Sequence, residues 1–332
     1  MVTAKYGKRY GTRMTRVLID QDITPTDRLL DALEDDWDTT VGVDGSEEAL
    51  LDVVADYEII LATSRLALTR RVIDAAENLE LIGKLGTGID SVDLDAARDN
   101  GVTVTHTPGH NALSVAEHAL TLTLACARRL PTADRLLSEG RWRDEYPLGT
   151  QLSGSTVGIV GFGNVGKRVG KLFAGFDVDL LVTDPYVPSI DAELTNAEMR
   201  SREELLRRSD VLILSPELTD ETRNLIGADE LAKLKPSAIL VNVSRGPVVD
   251  QDALVAALER DEIGAAGLDV FADEPLDRDS PLRGFENVVT TPHIAAMTTT
   301  CRRGNIDQLA ENVTRLAADA DVLDRYVPVR GE

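Results

Sequence analysis

Cysteine is nearly absent from this chain of 332 residues. Cys126 and Cys301 are too few for a disulfide framework or a cysteine-ligated zinc site. Reduced thiols in a cytoplasmic protein are the expectation. Lysine is also scarce: Lys5, Lys8, Lys84, Lys167, Lys171, Lys233 and Lys235 are the full set, so arginine supplies most of the 35 basic residues. Long apolar runs are missing. Ala119 to Ala127 is interrupted by threonines and falls far short of the roughly 20 residues that a membrane-spanning helix needs. At the N-terminus, Lys5, Lys8, Arg9, Arg13 and Arg16 precede the short run Val17 to Ile19 without an apolar h-region, which argues against a secretory leader. Residues 1 to 15 are expected to form a frayed extension.

Positive charge is outweighed throughout. A formal net charge of −22 argues against binding to a phosphate backbone and for repulsion from nucleic acid and anionic membranes. The acids are dispersed, and with so few lysines they point to a cytoplasm of high salt, where a Debye length of about 3 Å at 1 M screens self-repulsion. An ordinary acidic protein is the alternative. His106, His110 and His118 have the look of metal ligands, but Pro108 and Gly109 break the helical spacing of the first pair and no carboxylate-rich cluster adjoins them. No metal is expected.

What is present describes a globular chain of two domains, with 43% hydrophobic residues. Strand candidates Arg16 to Ile19, Tyr57 to Leu61, Leu79 to Gly83 and Val102 to Thr105 alternate with helical runs, which implies a parallel sheet covered on both faces. Thr24, Pro25 and Asp27 read as a helix start, with a capping hydroxyl, a proline in the first helical position and an acid in the first turn. A long apolar helix from about Leu113 to Arg129 ends before Pro131. Further strands are expected at Thr156 to Val160, Asp179 to Thr183, Asp210 to Leu214, Ala238 to Val243, Ala265 to Val270 and Val288 to Thr291. A closing helix near Cys301 to Ala318 would return the chain to the first domain.

Between the strand at Thr156 to Val160 and the amphipathic run Lys167 to Ala174 lie Gly161, Phe162, Gly163, Asn164, Val165 and Gly166. This order of strand, glycine turn and helix is the one a dinucleotide site needs. Gly161 allows the tight turn, Gly163 lets backbone N–H groups approach a pyrophosphate at the helix N-terminus, and Gly166 lets helix and strand pack closely. Alone the pattern is unspecific, since glycine-rich turns also serve packing. The next strand ends at Asp184, near the roughly twenty-residue spacing at which a carboxylate accepts hydrogen bonds from a ribose diol. That acid favours NAD over NADP. A 2′-phosphate about 4 Å away would meet a repulsion of a few kcal/mol at an effective dielectric near 20, and Pro185 and Tyr186 offer no compensating cation.

Three chemistry-bearing residues follow the ends of later strands. Arg245 comes after Asn242-Val243-Ser244, Glu274 lies in Asp269-Val270-Phe271-Ala272-Asp273-Glu274-Pro275, and His293 ends Thr291-Pro292-His293. Ligands of open parallel sheets collect at the carboxyl ends of strands. Each residue taken singly could be an exposed arginine, a loop acid or a solvated histidine. Together they form a set at one rim of one sheet.

On these residues the chain resembles the D-isomer-specific 2-hydroxyacid dehydrogenase family, which includes phosphoglycerate dehydrogenases and glyoxylate or hydroxypyruvate reductases. The likeness runs from about Ile19 to Asp319 and also takes in Gly86-Thr87-Gly88-Ile89-Asp90-Ser91-Val92-Asp93 and Ser114-Val115-Ala116-Glu117-His118. It implies an α/β architecture of two doubly wound parallel-sheet domains. A Rossmann NAD-binding domain, residues 109–299, is inserted into a flavodoxin-like substrate domain, residues 1–108 and 300–332. The resemblance implies that an NAD-dependent enzyme interconverts a D-2-hydroxy acid and its 2-oxo acid, without a metal. Arg245 would anchor the substrate, His293 exchange the hydroxyl proton and Glu274 orient His293. Arginine's planar fork suits a carboxylate, and a carboxylate beside an imidazole stabilises its charged form, so His293 can act as acid or base near neutrality.

The resemblance further assigns Gly86 and Gly88 to the substrate, Thr87 to substrate or cofactor phosphate, and Asn164, Val165, Val243 and Asp269 to the cofactor, Asp269 at the nicotinamide carboxamide. It implies a homodimer formed through the long helix after Leu113. Three departures bear on the substrate: Ser91 replaces a common asparagine, Glu217 stands where many relatives have proline, and Ala112 stands where phosphoglycerate dehydrogenases often have serine. With no long regulatory domain at its C-terminal end, the chain is expected to differ from long-form phosphoglycerate dehydrogenase. Corepressors that resemble this family and sense a dinucleotide are the alternative of another class.

Overall fold

The computed structural model describes residues 14–331. Of the segment expected to be a frayed extension, residues 1–13 lie outside the described residues. The chain divides into two compact units. One holds the residues up to Asn111 and those from Thr298 onward; the other is Ala112–Met297.

Among the described residues, the first unit carries a parallel sheet of β1 (Arg16–Ile19), β2 (Asp38–Val41), β3 (Ile59–Ala62), β4 (Leu81–Lys84) and β5 (Thr103–His106), in the order β2-β1-β3-β4-β5. The alternation of side chains along a strand sorts the apolar residues into two cores. Leu18, Ile60, Ile82 and Val104 meet Leu50, Val54 and Val72 on one face. Val17, Ile59, Leu61 and Leu81 meet Ile306, Leu309 and Val313 of helix Thr299–Ala317 on the other. Each such leucine, isoleucine or valine contributes about 1.5–3 kcal/mol by leaving water. Both faces of the sheet are covered, so β3 and β4 are buried along their whole length.

Two expectations need correction here. β2 has no counterpart among the expected strands, because it is an exposed edge of sequence Asp-Thr-Thr-Val and shows no apolar run. The helix start at Thr24 is displaced: the helix is Thr26–Leu30, and its N-cap, Pro25, is extended at ψ 123° and offers no side-chain acceptor. Asp27 does lie in the first turn.

The second unit carries β6 (Thr156–Val160), β7 (Asp179–Thr183), β8 (Ala197–Met199), β9 (Val211–Leu214), β10 (Ile239–Asn242), β11 (Ala265–Leu268) and β12 (Val288–Thr290), all parallel, in the order β12-β11-β10-β9-β6-β7-β8. β8 is the second strand absent from expectation, three residues with a polar centre. Helix Ala112–Ala127 presents Val115, Ala119, Leu122 and Cys126, at spacings of four and three, to Val157, Ile159 and Val241. Arg129 ends this run in the left-handed region at φ 45°, and Pro131 falls in the first turn of the next helix, Leu130–Ser138. The opposite face of the sheet packs Leu205, Leu231 and Leu254 against Leu181, Leu212 and Leu240. From β6 the chain winds outward through β7 and β8, then restarts at β9 on the other side. The crevice at that reversal is where doubly wound sheets bind ligands.

Candidate active site

The turn after β6 is shaped by its glycines. Gly161 has φ +85°, and a side chain there would run into the backbone of Pro216 beyond β9. A side chain at Gly166 would strike the carbonyl oxygen of Gly161. The turn and the first coil of helix Asn164–Phe173 are thereby pressed together. Gly163 caps this helix without a side-chain hydrogen bond, and an added Cβ there would meet nothing within 4 Å. The ground beside Gly163 is therefore open at the N-terminus of a helix, whose first backbone N–H groups lack intrahelical partners and suit an anion.

Asp184, directly after β7, closes the same end. Its Oδ2 accepts from Phe162 N at 2.8 Å and its Oδ1 from Tyr186 N at 2.9 Å. A carboxylate has about four lone-pair sites, so a diol can still be received. The Tyr186 hydroxyl donates to Glu221 Oε2 at 2.6 Å, and this bond and the charge of Glu221 push the phenol pKa up. Two acids thus stand at this end. The helix terminus, the open ground at Gly163 and Asp184 fit a dinucleotide.

β10, β11 and β12 are neighbours in the sheet, and the three chemistry-bearing residues follow them. Asn242, buried at the end of β10, builds the turn that carries Arg245. Its Nδ2 donates to Arg245 O at 3.0 Å, and its Oδ1 accepts from Ser244 N at 3.1 Å and Ser244 Oγ at 2.8 Å. Glu274 is held through Oε1 by Phe271 N at 3.0 Å, and its Oε2 lies 2.7 Å from His293 Nδ1. An ionised carboxylate only accepts, so His293 carries a proton on Nδ1 and Nε2 remains for chemistry. Burial pushes the Glu274 pKa up. The hydrogen bond and charge of His293, the Phe271 N–H and the charge of Arg245 outweigh it and hold the carboxyl below its ordinary range.

His293 itself has φ 52°, an uncommon conformation for a residue with a Cβ, which costs of order 1 kcal/mol and persists only where surrounding contacts impose it. Those contacts come from Asp269, which is fully buried after β11. Its carbonyl accepts from His293 N at 2.8 Å. Its Oδ1 accepts from Thr291 Oγ1 at 2.6 Å and Ile294 N at 2.9 Å, and its Oδ2 from Ala295 N at 2.9 Å. Burial raises the pKa of this carboxyl, but donors from His118, Thr291, Ile294 and Ala295 pull it below 3.8. These bonds tie Asp269 to the backbone on both sides of His293.

Gly86, Thr87 and Gly88 follow β4 in the first unit. Gly86 N donates to Thr107 Oγ1 at 2.8 Å, and Thr87 Oγ1 donates to Asn111 Oδ1 at 2.9 Å. Val243 is buried just beyond β10. Asn242 and Thr291 stand in the sequence as neighbours of Arg245 and His293 with nothing to mark the bonds they make, since both are polar residues at strand ends. His118, which the sequence offers as a passing metal-ligand candidate and as the end of the segment Ser114-Val115-Ala116-Glu117-His118, has its ring 2.9 Å from Thr291 Oγ1.

A doubly wound parallel sheet with this turn at its switch point is a Rossmann dinucleotide-binding domain. A family model described as "D-isomer specific 2-hydroxyacid dehydrogenase, NAD binding domain" matches residues 120–295. The D-3-phosphoglycerate dehydrogenase of Archaeoglobus fulgidus is 40% identical over 272 residues, 82% of this chain and 52% of that one. The hydroxypyruvate reductase of Thermotoga maritima is 35% identical over 269 residues, 80% of this chain and 87% of that one. Among solved structures, an NAD-dependent formate dehydrogenase from Staphylococcus aureus in complex with NAD superposes with a TM-score of 0.87 at 28% identity, covering 96% of this chain and 100% of that one. The chain belongs to the D-isomer specific 2-hydroxyacid dehydrogenase family. It spans about half the length of the curated phosphoglycerate dehydrogenases it matches.

Proposed function

We propose that this chain is an NAD-dependent oxidoreductase that interconverts a D-2-hydroxy acid and its 2-oxo acid, with His293 as acid and base. The observation that carries the reading is the contact of 2.7 Å between His293 Nδ1 and a Glu274 carboxylate already fixed by Phe271 N. Arg245 offers a planar fork to the substrate carboxylate. When bound, the dinucleotide supplies hydride to C2 or receives it from there. In the reducing direction His293 gives the proton on Nε2 to the carbonyl oxygen as that oxygen gains charge. Glu274 keeps the ring oriented and stabilises its charged form. In the oxidising direction the neutral ring takes the hydroxyl proton back.

The acids Asp184 and Glu221 favour an unphosphorylated ribose, hence NAD over NADP. The named relatives support small 2-oxo acids, with hydroxypyruvate, glyoxylate and 3-phosphohydroxypyruvate as first candidates. A homodimer is supported by exposed Leu130, Leu137, Trp142 and Leu148, which follow helix Ala112–Ala127 and offer a second copy an apolar face. No helix among the described residues is long and apolar enough to cross a membrane, and with two buried thiols the reading is of a cytoplasmic enzyme.

The test is a steady-state panel of small 2-oxo acids and their D- and L-hydroxy acids, with NADH and NADPH, in molar KCl. Turnover of at least one D-2-hydroxy acid pair with NAD preferred is the expected result. Tight NADH binding without hydride transfer to any member would overturn the reading.

A further inference from the structure

We propose that His118 is a positioning residue for His293, acting through Thr291 and Asp269. The proposal rests on the reading of His293 as the acid and base.

His118 sits on helix Ala112–Ala127, an element separate from the loops that carry Arg245, Glu274 and His293. Its side chain is only 16% exposed, and its Nε2 lies 2.9 Å from Thr291 Oγ1 and 3.4 Å from Asp269 Oδ1. The proton order of this network follows from valence. Asp269 is an ionised acceptor, so the single hydroxyl proton of Thr291 goes to Asp269 Oδ1. Thr291 can then only accept from the ring, which must present an N–H at Nε2. A directed chain results, from His118 to Thr291 to Asp269.

The far end of that chain is the backbone around His293. Thr291 lies two residues before it, and Ile294 and Ala295, immediately after it, donate both their N–H groups to the same carboxylate. The peptide carbonyl of Asp269 takes the N–H of His293 itself. Asp269 therefore clamps the loop on both sides of a residue held at φ 52°. His118 orients the clamp from a rigid helix, and through it the alignment of His293 with Glu274. Losing the Nε2 donor takes from the part-buried Thr291 hydroxyl one of its two hydrogen bonds and leaves Asp269 to be oriented by the loop's own groups alone. A displacement of about 1 Å at a reacting group lowers rates by up to about a hundredfold.

The experiment uses the whole chain of 332 residues and compares H118F, H118Q and T291V with H293A, measuring kcat, KM for the best 2-oxo acid of the panel and Kd for NADH. H118F and T291V are expected to lower kcat about tenfold to a hundredfold, with KM and Kd changed by less than about threefold. H118Q, whose amide can still donate to Thr291, is expected to recover most of kcat. Wild-type kcat in H118F or T291V, or a loss spread over kcat, KM and stability without rescue by H118Q, overturns the proposal. If H293A is itself fully active, the reading of His293 fails and this proposal with it. Low turnover in H293A beside unaffected H118F and T291V refutes the positioning role alone. Nitrogen-15 spectra of the unmodified protein give a check that needs no variant: a proton on His118 Nε2 is expected, and a ring protonated only on Nδ1 overturns the chain.

Discussion

Each unit buries an aspartate directly after a strand, Asp20 after β1 and Asp269 after β11, and both are fully inaccessible. Their charges are met in different ways. Asp20 is bound by a guanidinium, with Arg65 Nε at 2.9 Å and Nη2 at 2.6 Å, together with Thr63 N at 3.0 Å and Thr63 Oγ1 at 2.5 Å. Among the described residues no guanidinium or ammonium pairs with Asp269, which is met by a hydroxyl, two backbone N–H groups and the His118 ring. The first arrangement closes on itself: charge is cancelled where it is buried and the benefit is stability. The second passes order outward, because its donors are the backbone of the loop that carries His293. A buried carboxylate bonded by a full cation locks a fold, whereas one bonded by a loop shapes a site.

The contrast can be broken most severely at Asp20. Asp20 is fully buried and Arg65 partly, so Asp20→Ala, which takes the shared acceptor from Arg65 and Thr63, is expected to cost about 3 kcal/mol in denaturant unfolding while kcat per folded molecule is retained. The same variant reports on pH. Burial raises the Asp20 pKa, but hydrogen bonds from Thr63, Arg65 and Asp22 bring it below the ordinary 3.8. A carboxyl lowered in the fold contributes stability that is fully present above the unfolded value and is lost as pH falls through the folded one. The unmodified protein should therefore lose stability steeply on acidification below about pH 3.9, and Asp20→Ala less steeply. Equal slopes would show that Asp20 is not the group concerned.

His293→Ala probes the opposite case. It should reduce kcat by about a hundredfold or more, the scale of a positioned acid–base group, and leave the unfolding midpoint almost unchanged. A variant that unfolds early but turns over normally would reverse the contrast between the two aspartates. Asp184→Ala is a smaller change at the cofactor end. It should shift the ratio of NAD to NADP efficiency by about tenfold towards NADP, a difference of about 1.4 kcal/mol. Equal use of both cofactors by the unmodified protein would refute the role given to that carboxylate. The smallest effect concerns neither buried aspartate but the dispersed surface acids behind the net charge of −22. Stability should rise by about 1 kcal/mol between low and molar KCl as self-repulsion is screened, and a flat titration would remove the case for salt adaptation.

Much of this was legible in one dimension. The ends of β6 and β7, the glycine turn between them and the series of strands leading to Arg245, Glu274 and His293 all show in local pattern, because a strand buried on both faces must be apolar throughout. β2 and β8 left no such mark. One is exposed and polar at an edge, the other only three residues long, and pairing with a neighbouring strand alone makes them strands. Helix starts are less legible than strand ends, as the displacement from Thr24 to Thr26 shows, since a cap is a matter of backbone geometry.

The sequence by itself determined the α/β alternation, the doubly wound class and the places of Arg245, Glu274 and His293 after strand ends, because periodicity and glycine spacing act over a few neighbours. The tertiary structure alone decided which polar groups satisfy one another. His118 and Thr291 stand 173 positions apart and meet only because a helix and a strand end are packed on the same sheet. Hydrogen bonds of that kind depend on distances of about 3 Å, which no local pattern of residues encodes.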